Sequence, residues 1–233
     1  MRLPAGTPSA ERARLQVLAL AYNALSQGVA YFHAGGELLR SKSLDRNSFN
    51  SGDHFNAYDP SGATHAMGRG LPPAEDNAAS WDAMRPVLLD PSTRATPADI
   101  AFARAAFEDW LRIRASTRLL RLRTAEDVIA RLRFHGTGPD QPGTLLVGEL
   151  DGGTVDGRAL EDAGFGGLVY LLNVADAPAS IAIPGAAGRG WRLHPVLAAP
   201  GAADARARDE ARVDDAAGRF RVPARTAVVF VRD

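Results

Sequence analysis

What most constrains this chain is a connection of about sixty residues, Gly35 to Thr96, with no sustained helical or strand period. Connections that long inside a compact domain are either functional or disordered. This one contains Phe49, Phe55, Tyr58, Trp81 and Met84, so it has apolar material to pack and reads as an ordered, working loop. It follows a short apolar run, Gly28-Val-Ala-Tyr-Phe32, that reads as a buried strand over 29–33. A strand that empties into a loop crowded with Arg, Asn, Asp and aromatic side chains is where barrel enzymes place substrate contacts.

The flanking segments read as helices. Pro8-Ser9 starts and caps the first, Glu11 lies in its first turn, and Leu15, Leu18, Ala19, Tyr22 and Leu25 keep helical spacing up to Gly28. Its apolar run Leu15 to Tyr22 imitates a signal peptide, but Gln16 and Asn23 interrupt it, and an amphipathic helix is the better reading. On the far side, Thr96-Pro97-Ala98-Asp99 is a helix start, and Ile100, Ala103, Phe107, Trp110 and Leu111 form one stripe to about Arg114. Thr124-Ala-Glu-Asp127 opens a short helix through about Arg131.

After Phe134 the texture changes to short apolar runs separated by Gly, Pro, Asp and Ala: 144–150, 167–173, 180–183, 191–195, 219–222 and 226–231. Short strands with turn signals predict an antiparallel sandwich, with the boundary near 115–125 and a mobile surface loop over 198–218. The 233 residues carry no net formal charge, which gives no reason to expect nucleic acid or a membrane surface as partner. There is no cysteine, hence no disulfide or thiolate metal site, and no run approaches a membrane span. Lys42 is the sole lysine, a bias read here as genomic composition.

The order of residues in Gly35-Gly-Glu-Leu-Leu-Arg-Ser-Lys-Ser43 and Asp45-Arg-Asn-Ser-Phe-Asn-Ser-Gly-Asp-His-Phe-Asn56 is specific, and with Phe134-His-Gly-Thr-Gly-Pro-Asp-Gln141 it resembles pullulanase-type starch-debranching enzymes of the α-amylase superfamily (glycoside hydrolase family 13). That resemblance implies an α/β plus all-β fold: the C-terminal remnant of a (β/α)8 barrel followed by an antiparallel β-sandwich. Residues 10–27 would be the seventh barrel helix, 28–34 the eighth strand, 97–115 the eighth helix, with domains 1–119 and 120–233. It places Arg46 and Asn47 on a glucan-binding wall, with Asp53 and Asn56 as loop-organising or substrate-side residues and Phe49 as a further candidate contact, and an α-glucan (pullulan, starch or a maltooligosaccharide) as ligand. Planar donors and acceptors of this kind suit sugar hydroxyls. The family's catalytic carboxylates come from strands four, five and seven, upstream of these residues. The expectation is therefore no catalytic residue here, no metal or cofactor, a missing N-terminal barrel as partner, and no hydrolysis of α-1,6-glucosidic bonds by this chain alone.

Other readings stand beside this one. The chain could be a non-catalytic glucan-binding or domain-stabilising module, or an unrelated hydrolase acting through Asp53 and His54. Glu37 with Asp53 could be a carboxylate pair, although loop caps and arginine partners explain such residues more simply. His33, His54 and His65 match no metal-ligand spacing. Arg40 is expected to pair with Glu37 or Asp45, and His135 and His194 to be structural. Phe49 and Trp81 could stack on sugar rings or hold the loop down.

Overall fold

In the computed structural model, which describes residues 3, 4 and 6–233, the chain divides into two compact units, 1–17 with 33–104 and 18–32 with 105–233. The first holds the start of α1 (Ser9–Leu25), then α2 (Gly52–Asn56), α3 (Ala74–Asn77), α4 (Trp81–Leu89) and the start of α5 (Pro97–Ser116). The long connection is thus ordered by three short helices, none of which has the length to show a period in sequence. The start of α5 is as the sequence predicts. Thr96 Oγ1 accepts from the Asp99 amide at 3.2 Å while the Asp99 carboxylate accepts from the Thr96 amide at 2.8 Å, a reciprocal capping box.

The second unit holds the remainder of α1 and α5, then α6 (Ala125–Arg131), β1 (Leu132–His135), β2 (Leu145–Asp151), β3 (Gly167–Asn173), β4 (Ala179–Ala182), β5 (Arg192–Leu193), α7 (Pro195–Ala198), α8 (Ala205–Glu210), β6 (Arg212–Asp214), β7 (Arg219–Val222) and β8 (Thr226–Arg232). The strands form a five-stranded antiparallel sheet, β1-β2-β3-β8-β5, and a three-stranded one, β4-β7-β6. Both contribute to one core, in which Val169, Leu171, Val228 and Phe230 of the large sheet join Phe220 and Val222 of the small one. Phe220 bridges the layers, edge-on to Trp191 at 5.6 Å and to Phe230 at 5.3 Å. Side chains alternate across a strand, and Leu168, Tyr170 and Leu172 on the opposite face of β3 are buried as well. A strand buried on both faces reads as the continuous apolar run that made β3 and β8 legible.

Three expectations fail. Residues 28–34 are not a strand: no strand precedes Leu132 among the described residues, and Val29 and Tyr31 are 79% and 83% exposed. A strand exists by pairing, and no neighbouring edge is present for this segment to pair with. Instead the segment is held at its start, where Arg114 donates to the carbonyls of Ala24 (2.7 Å), Ser26 (2.8 Å) and Gly28 (2.6 Å). The Ala24 carbonyl lies in the last turn of α1, which leaves it without a helical partner, and the other two follow just beyond the helix. Gln27 adds a two-way bridge, donating to the Leu119 carbonyl at 2.7 Å and accepting from the Leu122 amide at 3.1 Å. The span 198–218, expected to be a mobile loop, contains α8 and β6, with Ala207 and Ala211 inside the core. Alanine packs without announcing itself as an apolar run, and Asp204 caps α8 by accepting from the Arg206 and Ala207 amides. The Arg-Leu-His-Pro run expected as strand breaks after Leu193, because His194 caps α7 and Pro195 takes its first position.

Two polar side chains, one charged and one neutral, are spent inside this unit. Arg131, 1% exposed, donates to the carbonyls of Asp151 (3.1 Å), Gly153 (2.6 Å) and Arg158 (2.7 Å), and its Nε lies 3.6 Å from Asp127. His194, also 1% exposed, accepts from the Val196 amide at Nδ1 (3.2 Å), so its proton sits on Nε2, facing Ser116 Oγ at 3.1 Å. Burial, with the Arg192 charge adding to it, lowers the His194 pKa from 6.5 to about 4.

Two outcomes are expected. Replacing Arg114 by Ala removes three hydrogen bonds at the end of α1 and lowers unfolding free energy by about 2 kcal/mol in urea titration, with Arg114→Lys recovering only part. For His194 the folded-state pKa lies below the unfolded one, so the native state resists protonation. Its contribution is fully present above the unfolded pKa and is lost as pH falls from about 6.5 towards 4, by up to roughly 3 kcal/mol. Urea titrations at a series of pH values measure that slope, and His194→Asn, which keeps a capping side chain, flattens it.

Candidate functional site

The candidate site is the loop of the first unit, and its geometry begins with Arg40. The Arg40 guanidinium donates to the carbonyls of Ala57 (3.1 Å) and Ala34 (3.2 Å) and to that of Asn56, and it lies 5.8 Å from the Tyr58 ring. The carboxylate partner expected for Arg40 is not there: Glu37 instead accepts from the Gly35 amide at 3.1 Å. A planar five-donor fork suits a set of converging carbonyls that no sheet or helix satisfies. Gly35 is required at this approach, since its φ is +89° and a Cβ there would lie 2.7 Å from Arg40 Cδ.

Around Asp45 a second knot forms, and its centre is a residue the sequence did not single out. Asn77, 1% exposed, accepts from the Arg46 amide (3.0 Å) and donates to Asp45 (3.0 Å) and to the Pro73 carbonyl (2.9 Å). Asp45 in turn accepts from the Asn47 amide at 3.1 Å. Burial pushes the Asp45 carboxyl up, but hydrogen bonds from Ser51, Asn77 and the Asn47 amide, with the Lys42 charge, outweigh it and hold the group below the usual carboxylate range. A lone Asn in Ala-Glu-Asp-Asn has no periodic signature, and its partners are distant in sequence.

This knot fixes backbone and leaves side chains outward. Arg46 is exposed and its guanidinium reaches Ser80 Oγ at 3.3 Å. Asn47, also exposed, donates to Asp76 at 2.9 Å. Phe49 is 88% exposed. Asn47 and Phe49 line one shallow cleft of about 80 Å³ with Glu75 and Asp76, and Arg46 lines a larger groove of about 630 Å³ walled by Leu44, Met84 and Val87. Asn56 points inward, donating to the Ser48 carbonyl (2.7 Å) and the Gly52 carbonyl (3.0 Å), so it fastens α2 to the Arg46–Phe49 stretch. Asp53 sits exposed on α2, with no hydrogen bond or ion pair to another described residue. Trp81 donates from Nε1 to the Pro72 carbonyl at 3.0 Å, which makes it a fastener of the loop.

The competing arrangements are not assembled. His54 bonds the Arg69 carbonyl at 2.9 Å and His65 Nδ1 accepts from the Met67 amide at 3.2 Å, while His33 lies exposed. Among the described residues no group of three or more His, Asp or Glu is placed to hold a metal ion. His54 is spent on a carbonyl and stands edge-on to Phe55, with no hydrogen bond to Asp53. Among the described residues, also, no helix is long and apolar enough to cross a membrane.

Similarity to known proteins converges on one family. The family model for "Alpha-1,6-glucosidases, pullulanase-type, C-terminal" matches residues 62–233. The chain is 41% identical over 223 residues to "Pullulanase 1, chloroplastic" of Arabidopsis thaliana, covering 95% of this chain and 23% of that protein. The crystal structure of PulA from Klebsiella oxytoca is similar with a TM-score of 0.85 at 30% identity, over 97% of this chain and 21% of that one. A maltotriose complex of PulA from Klebsiella pneumoniae is similar with a TM-score of 0.83 at 30% identity, over 94% of this chain and 23% of that one. The chain therefore spans less than a quarter of the length of these relatives.

Asn77→Ala leaves Asp45 and the Arg46 amide short of buried partners. The expected cost is about 1–3 kcal/mol in urea unfolding, together with faster proteolytic cleavage between 43 and 52. Unchanged cleavage would show that Asn77 does not hold the loop.

Proposed function

Because the chain belongs to the pullulanase-type α-1,6-glucosidases, we propose that it forms the C-terminal part of a debranching enzyme acting on α-1,6 linkages of pullulan, starch or glycogen-type glucans. In this reading Arg46, Asn47 and Phe49 form a glucan-facing wall, Asp53 stands beside it, and Asn56 holds it in place. One observation carries the reading: three side chains suited to sugar hydroxyls and ring faces project from a backbone that Asn77 and Asp45 lock from behind. Preorganised, outward groups are what a binding wall needs. The relative solved with maltotriose is consistent with a glucan ligand.

The carboxylates that break the bond are proposed to lie in the portion of such enzymes that this chain does not span. Retaining glycosidases need a nucleophilic carboxylate and a carboxylic acid, about 5–5.5 Å apart, with the acid's pKa raised. Among the described residues the carboxylate shifts that stand out, at Asp45, Asp59, Asp90, Asp99 and Asp209, are all downward. Each of these groups is held as an anion by hydrogen bonds, which suits caps and turns and not proton donation. The same proposal gives 28–34 its place: α1 and α5 are the seventh and eighth barrel helices, and 28–34 becomes the eighth strand when barrel neighbours stand on either side.

The purified chain is expected to release no reducing sugar from pullulan. Joined behind the upstream portion of the Klebsiella oxytoca relative, it restores hydrolysis, and Arg46→Ala in that hybrid lowers kcat/KM by about tenfold or more. Turnover by the chain alone would overturn the assignment of the catalytic groups to another portion. An unchanged kcat/KM in the Arg46 variant would remove that residue from the wall.

A further inference from the structure

A third cavity lies in the first unit, away from the side chains assigned to the wall. It measures about 180 Å³ and is floored by Ala13, Leu39 and Met67. At about 30 Å³ per liquid water it holds the volume of about six waters, and it falls below the ~300–1,000 Å³ of sites for drug-sized ligands. A single small ring with its hydroxyls is the size that fits.

The polar lining separates into committed and uncommitted groups. The Arg12 guanidinium donates to the Thr7 carbonyl (2.9 Å) and the Pro4 carbonyl (3.2 Å), and its charge lies near Asp90. Arg40 is taken up by its three carbonyls. Thr93 Oγ1 donates to the Val87 and Asp90 carbonyls. Two groups remain. Gln16 is the polar residue that interrupts the apolar run of α1, and its amide is half-buried at the cavity with no partner among the described residues. His65 accepts at Nδ1 from the Met67 amide, which leaves its ring proton on Nε2 as a spare donor, and burial together with the Arg94 charge lowers its pKa.

We propose that this cavity is a separate binding site for one neutral hexose, with Gln16 supplying a donor and an acceptor, His65 Nε2 a donor, and the apolar floor carrying the ring face. A sugar hydroxyl both donates and accepts, which matches an unpaired amide better than it matches two guanidiniums already committed to carbonyls. The site stands on its own geometry and does not depend on the wall at Arg46, Asn47 and Phe49.

The test is a titration of the ¹⁵N-labelled chain with D-glucose, followed by NMR, with inorganic phosphate in a parallel arm. Saturating shifts of the Gln16 side-chain amide and of residues 65–67, in the millimolar range, are expected for glucose and not for phosphate. Gln16→Ala, a favourable residue for the helix, weakens glucose binding about fivefold or more without lowering the thermal midpoint. His65→Ala weakens it as well, and Arg46→Ala leaves it unchanged. No saturating shift with glucose overturns the proposal, as do saturation by phosphate alone and unaltered affinity in Gln16→Ala. Loss of binding in Arg46→Ala would overturn it by moving the sugar to the wall, whereas failure of the wall reading leaves this titration unaffected.

Discussion

Backbone carbonyls that no helix or sheet satisfies are the constraint on which this structure turns, and arginine is how the chain meets it. A buried carbonyl without a donor costs free energy comparable to a lost hydrogen bond. Arg40, Arg114 and Arg131 each gather three backbone carbonyls, from the loop after Ala34, from the end of α1 and the turn beyond it, and from the segment between β2 and β3, where the Arg158 carbonyl is shared with the Val155 amide. A lysine offers one point charge on a flexible stem and cannot span three acceptors with fixed geometry. The arginine bias that sequence alone reads as genomic composition is thus put to structural use, whatever its origin. In each case the guanidinium takes the place of secondary structure in the irregular segments between helices and strands.

How much of the fold is legible in the sequence follows from how local its causes are. The capping boxes at Thr96–Asp99 and Thr124–Asp127 close within three residues, so both are readable and both are present. β3 and β8 are readable because burial on both faces leaves uninterrupted apolar runs. The misread segments depend on partners far along the chain. α8 and the approach to β6 are buried through Ala207 and Ala211, whose burial is decided by Phe220 and its neighbours, and 29–33 has strand-like residues but no edge to pair with. Within the candidate site Arg46, Asn47 and Phe49 could be picked out, because a string of planar polar and aromatic residues is visible by itself. Asn77, which holds their backbone from about thirty residues away, could not.

That division explains why the proposed wall is built from exposed side chains on fixed backbone. Side chains that must meet a ligand cannot also be the ones that hold the loop, since a hydrogen bond given to a carbonyl is not available to a hydroxyl. The loop assigns the two tasks to different residues. Arg40, Asn56, Asn77 and Trp81 face inward and are consumed. Arg46, Asn47 and Phe49 face outward, and the two polar ones make single bonds to Ser80 and Asp76, partners that a competing ligand can replace.

The segment 28–34 shows the same logic from the opposite side. Its alternation survives without a sheet: Val29 and Tyr31 face out, while Phe32 is partly covered and meets Phe107 edge-on at 4.9 Å. One end is fixed by Arg114 at Gly28, and the Tyr31 carbonyl accepts from the Asn23 side-chain amide, so the backbone is tethered at two points before any strand pairs with it. A segment that is already tethered loses less entropy when it adds to a sheet, and its exposed apolar side chains gain by being covered. The free energy left unclaimed at Val29 and Tyr31 is therefore what a strand pairing with this segment would recover.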